Sequence, residues 1–426
     1  MKLRVSIQKL GKFFWQPLWF IVGIWLLSRG LILVGMLGIA PLLEAPTGGI
    51  KTEWGWGVFS AWDSNFYQEI ATANYDGIGT TPGANVAFFP FFPLTIRIVM
   101  RLGLSAEVAG TLINNLAFLG TLFIVFYWVK RTNGIKTAQW TTTILAWCPL
   151  SLFTAVVYTE GLFLFLSTAS LWAFDRQSYL QAAVWGMLAT ATRITGLALI
   201  PAFFLTAWYK RVPVTAYVTS FGSALGVLLY SGYCWVQFND PLAFITVQHT
   251  EWNRSRGIDW QGWGTMLVEI ATGRNQWHYE NLWDLLHPFL LFLMSVIAYG
   301  LWHYRDCLGS TFFDYSCCGL LFLLWLLIGD PLLNTISVLG GIYLLWHLRN
   351  QLSFIVVTYG FSAFGLLLVS GGTISLSRLA YGIISLGLGL GVLLSNYPRW
   401  GYAMLGFCTV LLVSFSIRFA QHLWVA

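Results

Sequence analysis

Apolar stretches of roughly twenty residues, the length that carries an α-helix across a hydrocarbon core, recur along the whole chain, with the polar positions gathered between them. In lipid every backbone polar group must be satisfied internally, and such long runs point to helices instead of a barrel. The pattern predicts spans near 16–41, 106–129, 138–157, 160–174, 213–237, 283–302, 310–328, 332–346, 352–370, 379–395 and 401–417. Between them, the stretch 179–209 is too long for one upright helix and is interrupted by Thr192-Arg193-Ile194-Thr195-Gly196. Two short helices meeting at an outer tip return the chain to Lys210–Arg211 on the inside. A single tilted helix would invert everything downstream. The two-helix arrangement keeps the later basic turns on one side and brings the total to about 13 membrane helices (bounds 11–14). The expectation is an all-α integral membrane protein, a single polytopic domain over 1–426. Two long loops, 42–105 and 238–281, face the extracytoplasmic side, the first carrying short interfacial helices.

Composition agrees with this pattern. Of 426 residues 57% are apolar and 9% charged, against roughly a quarter charged in a soluble domain, which excludes a water-soluble globule. The net charge of +6 does not point to nucleic acid, because the bases form short clusters between spans and no patch. On the predicted layout 13 of 23 Lys/Arg fall in the short inner segments, the positive-inside bias of membrane topology. The acids distribute the other way: apart from Asp175, Asp306 and Asp314, they lie on or near the outer side, where they are available for acid–base chemistry. The six cysteines lack paired metal-type spacing and read as small packing residues. Lys2, Arg4, Lys9 and Lys12 ahead of an apolar run from Phe13 to Leu43 mimic a signal peptide, but the run is far too long for one and reads as a retained first span.

The first outer loop is the richest in chemistry. Trp62, Phe66, Ile70 and Ala71 share one helical face, with Asp63, Tyr67 and Glu69 on its flank or opposite, as in a short interfacial helix. The aromatic run Ala87-Phe88-Phe89-Pro90-Phe91-Phe92-Pro93-Leu94 suits a second one. Asp63 has a structural reading, capping a helix that begins near Ser64. It also has a chemical one, a general base at a partly dry interface. Periodicity does not separate them.

Trp62-Asp63-Ser64-Asn65-Phe66-Tyr67, then Asn74-Tyr75-Asp76-Gly77, then Ala87-Phe88-Phe89-Pro90 with Pro93, resemble the GPI mannosyltransferase II (PIG-V) family of the GT-C superfamily of membrane glycosyltransferases. Tyr158-Thr159-Glu160-Gly161-Leu162-Phe163 and the segment from Gly186 to Gly196 resemble it too, so the likeness runs in order over about residues 60–200. Beyond residue 200 it thins to Asn239-Asp240-Pro241-Leu242-Ala243-Phe244 and Ser377-Arg378. Where such enzymes carry Arg-Tyr near a late outer helix end, this chain has Arg378-Leu379-Ala380-Tyr381, and the long loop around a Trp/Cys-rich segment is not evident. The resemblance implies a polyprenyl- or dolichyl-phosphate sugar donor, typically of mannose, and a lipid or glycan acceptor. Asp63, at the position of the superfamily's catalytic aspartate, would deprotonate the acceptor hydroxyl. The hydroxyl would then displace the lipid phosphate with inversion. A bacterial plasma membrane or an ER membrane would suit it, and a small partner subunit in the membrane is compatible with it.

A leaving lipid phosphate calls for cationic donors, and an arginine fork binds two of its oxygens. Arg193, at the predicted tip beside a helix N-terminus, is the first candidate and Arg378 the second; snorkelling to headgroups is the alternative for both. Glu160 reads either as a second carboxylate on the sugar or as helix-dipole complementation with Thr159 as cap. Trp62 and Tyr75 are candidate substrate-binding aromatics, with interfacial anchoring the bland reading. Mid-span Arg29 must face protein, and Asn114 and Asn115 read as interhelical glue. In the second loop His249, Glu251, Trp252, Arg254 and Arg256 either line an acceptor pocket or form a solvated loop, and Asn253-Arg254-Ser255 spells a glycosylation sequon. No Walker, Gly-x-Gly-x-x-Gly, His-Glu-x-x-His or Asp-x-Asp pattern is present, so no metal or cofactor is assigned and a cytosolic nucleotide-sugar enzyme is disfavoured. The rival class is a transporter or flippase for a lipid-linked intermediate. Such a protein carries ionisable groups near the midplane and repeated halves; here the acids crowd the outer side and no repeat is apparent.

Overall fold

The computed structural model describes residues 2–78, 81–252, 254–255, 257–273 and 286–425. The first span is α1 (Lys2–Leu33), continued by a π-helical turn at Val34–Ile39. The first long loop folds into α2 (Asp63–Ala73), a two-stranded β-ribbon pairing Gly77–Ile78 with Thr81–Pro82, and α3 (Phe91–Met100). Then come α4 (Ala106–Asn133), α5 (Ile135–Trp147), α6 (Glu160–Asp175), α7 (Tyr179–Thr192), α8 (Leu199–Lys210) and α9 (Val214–Phe238). The second loop carries α10 (Ala243–Thr250) and α11 (Trp260–Thr272). The remainder is helical: α12 (Leu286–His303), α13 (Arg305–Leu308), α14 (Ser310–Ile328), α15 (Asp330–Thr335), α16 (Gly341–His347), α17 (Phe354–Leu368), α18 (Leu376–Tyr381), α19 (Ile384–Asn396) and α20 (Pro398–Ala420).

Among the described residues, six helices are long and apolar enough to cross a membrane: Pro17–Leu42, α4, α9, α12, α14 and α20. The other expected spans fall on shorter helices. The span expected at 138–157 is one correction, since its helix ends at Trp147. Cys148 turns to an extended backbone, and the Pro149–Thr154 segment that follows is a 3-10 helix. Pro149 lacks the N–H that an α-helix would need there.

The expected break in 179–209 is present. Helix α7 ends at Thr192, Arg193 is extended (φ −152°, ψ 145°), and a 3-10 turn at Ile194–Ala198 leads into α8. The two run in opposite directions. Thr219 near the start of α9 bonds the Tyr179 carbonyl near the start of α7 (3.1 Å), and Thr190 bonds the Ser223 carbonyl (2.7 Å), so α7 and α9 are parallel. Only three residues separate the end of α8 at Lys210 from the start of α9 at Val214, so the starts of α7 and α9 and the end of α8 share one end of the bundle. Small residues allow this: a Cβ at Gly226 would strike the Met187 carbonyl and the Thr190 hydroxyl, the close backbone approach typical of membrane helix pairs. Arg193 is therefore a tip at the opposite end.

The same tracing orients the whole bundle. Thr137, Thr141 and Leu145 of α5 face Ser395, Gly391 and Gly387 of α19 in antiparallel order. Lys130–Arg131, Lys210–Arg211, Arg349 and Arg399 collect at one end, and the first loop, the Arg193 tip and α18 at the other. Phe238 at the far end of α9 touches Gly77, and Tyr230 donates to the Val86 carbonyl (2.7 Å), so α9 reaches the first loop as well. Asn114 and Asn115 act as the expected glue. Asn114 donates to the Phe153 and Val156 carbonyls (2.7 and 2.8 Å) and accepts from the Leu162 N–H, while Asn115 donates to Ala155.

Candidate active site

Two helices of the first loop make the floor of this end. Helix α2 buries Ser64, Tyr67, Ile70 and Ala71, while Trp62 is exposed. The sequence pattern places Trp62 and Phe66 with Ile70 and Ala71 on one face of an interfacial helix, and Tyr67 on its flank or opposite. The difference arises because Tyr67 packs edge-on against Phe88, Phe92 and Tyr158 and bonds the Thr159 hydroxyl (3.3 Å), contacts from distant segments that local periodicity does not register. Burial and the nearby carboxylates hold the Tyr67 hydroxyl well above its ordinary pKa, so it stays a neutral phenol. From α3, Arg97 caps the far end of α2 by donating to the Ile70 and Ala71 carbonyls, both at 2.7 Å.

Asp63 is the first residue of α2 and makes no capping bond. Its Oδ2 instead accepts from Arg378 Nη1 at 3.0 Å, and its backbone N–H donates to the Tyr158 hydroxyl. Among the described residues Oδ1 has no hydrogen-bond partner. Each member of the Asp63–Arg378 pair follows a residue with positive φ. Trp62 sits at φ 56°, ψ −118°, and Ser375, ahead of α18, at φ 61°, ψ 24°. A bulky residue such as Trp62 in that region carries strain of about 1–3 kcal/mol and persists only where surrounding contacts over-determine it.

Glu160 stands at the start of α6, 1% exposed, and joins both arginines. Its Oε1 lies 2.6 Å from Arg193 Nη1 and 3.6 Å from Arg378 Nε. Thr159 provides no side-chain cap to α6; its hydroxyl instead accepts from Arg193 (3.2 Å). Glu160 Oε2 is buried and has no hydrogen-bond partner among the described residues. The Arg378 guanidinium also lies over the Phe153 and Tyr158 rings, at 5.3 and 5.2 Å, and Arg193 over Phe163 at 5.9 Å. Four segments distant in sequence thus converge on a chain of charges, Asp63–Arg378–Glu160–Arg193. Buried ion pairs are expensive to assemble and weak evidence for stability alone, so the cluster's value lies in what it presents.

A fifth charge joins from the second loop. Burial first, and then Arg378 and Arg193, push the Arg254 guanidinium below its ordinary value, with Asp63 acting the other way. The loop is held in place by Trp252, whose ring meets Phe66 and Phe88 edge-on at 5.4 and 5.9 Å. The Ser255 N–H bonds the Gly371 carbonyl (2.8 Å). The sequence leaves Arg254 either in an acceptor pocket or in a solvated loop; the structure half-buries it. Asn253 and Arg256 lie outside the described residues, and His249 bonds the Arg254 carbonyl through Nδ1 (2.7 Å). Of the two candidate aromatics, Trp62 meets Trp424 edge-on at 5.3 Å beside Asp63. Tyr75 is not brought to the cluster. Its hydroxyl donates to Phe88, and its ring packs with Tyr230 and Tyr233 in a separate apolar group.

These features describe a helical membrane protein with a half-open carboxylate–arginine site at the bundle end opposite its basic turns. Residues 41–211 match the family model described as Mannosyltransferase (PIG-V), the stretch in which the sequence motifs resemble that family. Asp63, Glu160 and Arg193 lie inside the match; Arg254 and Arg378 lie beyond it. No curated protein matches the chain. Among solved structures it is similar to ArnT from Cupriavidus metallidurans bound to undecaprenyl phosphate (14% identity, 90% of this chain and 62% of that one, TM-score 0.48). It is also similar to the oligosaccharyltransferase AglB of Archaeoglobus fulgidus in complex with an inhibitory peptide and a dolichol-phosphate (12% identity, 94% and 56%, TM-score 0.45). The chain thus spans less than two thirds of the length of either.

Proposed function

We propose that this chain is a polytopic membrane glycosyltransferase moving a hexose, by its family match a mannose, from a polyprenyl-phosphate carrier to a hydroxyl of a lipid or glycan acceptor. The observation that carries this reading is the convergence of Asp63, Arg378, Glu160 and Arg193 at the end away from the basic turns. By the positive-inside rule that end is extracytoplasmic. Asp63 Oδ1 takes the acceptor proton while Arg378 fixes the carboxylate through Oδ2. The acceptor oxygen bonds to the anomeric carbon as that carbon's bond to the phosphate oxygen breaks, inverting configuration. The electron pair leaves on the lipid phosphate, whose charge Arg193 meets, with Arg378 and Arg254 near enough to add to the field.

The test is Asp63→Asn in purified protein given radiolabelled undecaprenyl-phosphate mannose and extracted membrane lipids. Transfer is expected to fall by about 10²–10⁴-fold, the usual contribution of a positioned general base, with the thermal midpoint kept. Transfer at the parental rate would remove Asp63 from the chemistry.

A further inference from the structure

The chain from Ala155 to Thr159, between the 3-10 turn and α6, is irregular but firmly held. Asn114 and Asn115 of α4 bond the Val156 and Ala155 carbonyls and the Leu162 N–H, on either side of Tyr158. A Cβ at Gly110 of α4 would stand 2.7 Å from a Val157 methyl, so the stretch packs directly on that helix. From this footing it grips the chain leading into α2 at two points. The Val157 N–H donates to the Phe59 carbonyl (3.1 Å), and the Asp63 N–H donates to the Tyr158 hydroxyl (3.3 Å). Between them lies Trp62, whose positive φ turns the chain into the helix. The Asp63 N–H belongs to the first turn of α2, where an amide has no partner within the helix. The phenol supplies one and closes the turn.

Resting on the glycosyltransferase reading, we infer that Tyr158 is a positioning residue for the transfer: its hydroxyl fixes where the Asp63 carboxylate stands. The side chain is buried (2% exposed), so it acts through Asp63 and not on substrate. Its ring packs against Phe153 (5.1 Å) and Phe419 (5.9 Å), which hold the hydroxyl in one place. The Arg378 guanidinium lies over the same ring at 5.2 Å. One side chain therefore meets the base through its oxygen and the base's counter-ion through its face. The next residue, Thr159, accepts from Arg193 (3.2 Å). Two consecutive residues thus set the separation between the proton-taking carboxylate and the cation that meets the phosphate. Displacing a reacting group by about 1 Å can cost about 10²-fold in rate, so this bond matters to turnover out of proportion to its share of stability.

The experiment is a double-mutant cycle read by labelled transfer. Tyr158→Phe removes the hydroxyl and keeps the ring that faces Arg378. The expected result is a kcat about ten- to thirtyfold lower, with the donor KM within about twofold of the parent's and the protein still folded. In the Asp63→Asn background the same change is expected to cost less than about twofold, because the effect passes through the carboxylate. A parental kcat in Tyr158→Phe, or an equal fractional loss in both backgrounds, would overturn the assignment. Hydrogen-exchange mass spectrometry of the parent, resolved to the Asp63 amide, needs no variant. Slowing of at least about a hundredfold relative to an unstructured peptide is expected, and exchange at the free-peptide rate would equally overturn it. Asp63→Asn at the parental rate would sink the transfer reading itself; an impaired Asp63→Asn beside an unimpaired Tyr158→Phe would sink this inference alone.

Discussion

Among the described residues two arginines lie buried, 6% and 9% exposed, and both lean on the same 3-10 turn, Pro149–Thr154. Arg29, mid-helix in α1, donates to the Ser151 carbonyl and the Thr154 hydroxyl and lies over Phe118 at 4.9 Å. Among the described residues it has no ion pair. Arg378 lies over Phe153 of that turn but is held by two carboxylates. A cation with neutral partners only ties helices together. One held between an aspartate and a buried glutamate is instead part of a run of charges, which the proposed transfer would use. Both arginines are buried and both lie outside the matched segment; their partners are what differ.

The sharpest way to break that contrast is Arg378→Met. It leaves Asp63 and Glu160 without their shared counter-ion, and removing one partner of a buried pair costs about 3–5 kcal/mol. Transfer is expected to vanish and the thermal midpoint to drop clearly. Glu160→Gln keeps the shape but removes the charge that bridges the two arginines, and a fall in transfer of about ten- to a hundredfold is expected from the weakened charge-assisted bonds. Steady-state assays with labelled donor read it; a parental rate would make Glu160 a packing residue. For Arg254→Gln, at the looser edge of the cluster, we expect the KM for the lipid-phosphate donor to rise by up to about tenfold with kcat nearly kept. The difference should shrink in high salt as screening grows; a donor KM equal to the parent's would return Arg254 to the solvated loop. Smallest should be Arg29→Met, within about 1 kcal/mol of the parent, because a buried ion replaced by an apolar group of similar volume is often neutral. The Ser151 carbonyl it leaves still accepts from Thr154 (2.7 Å). If Arg29→Met proves as damaging as Arg378→Met, partner charge is not what distinguishes them.

Much of this was legible in the sequence, and the gaps have physical causes. Apolar run length located the long helices, and the interruption at Thr192–Gly196 announced the tip that carries Arg193, because both signals are local. Asp63 and Glu160 stood out through motifs, and Arg378 despite its altered spacing. That Asp63 meets Arg378 across 315 residues is a tertiary fact that no periodicity carries. The same holds for Tyr67, turned inward by aromatic neighbours from other segments, and for Tyr75, drawn away by Tyr230 and Tyr233. Arg254 looked like one of several loop charges because the bond from Ser255 to Gly371 that holds its loop down joins distant parts of the chain.

The glycine at 226 has a consequence for how this chain can vary. Its neighbours are the backbone of α7, with the Ala191 amide 2.6 Å from where a Cβ would stand, two residues short of Arg193. Saturation mutagenesis should therefore recover glycine almost alone at this position, although it lies outside the matched family segment and touches no charged group. The accuracy with which the hairpin aims its cation is inherited from a missing methyl group on the next helix.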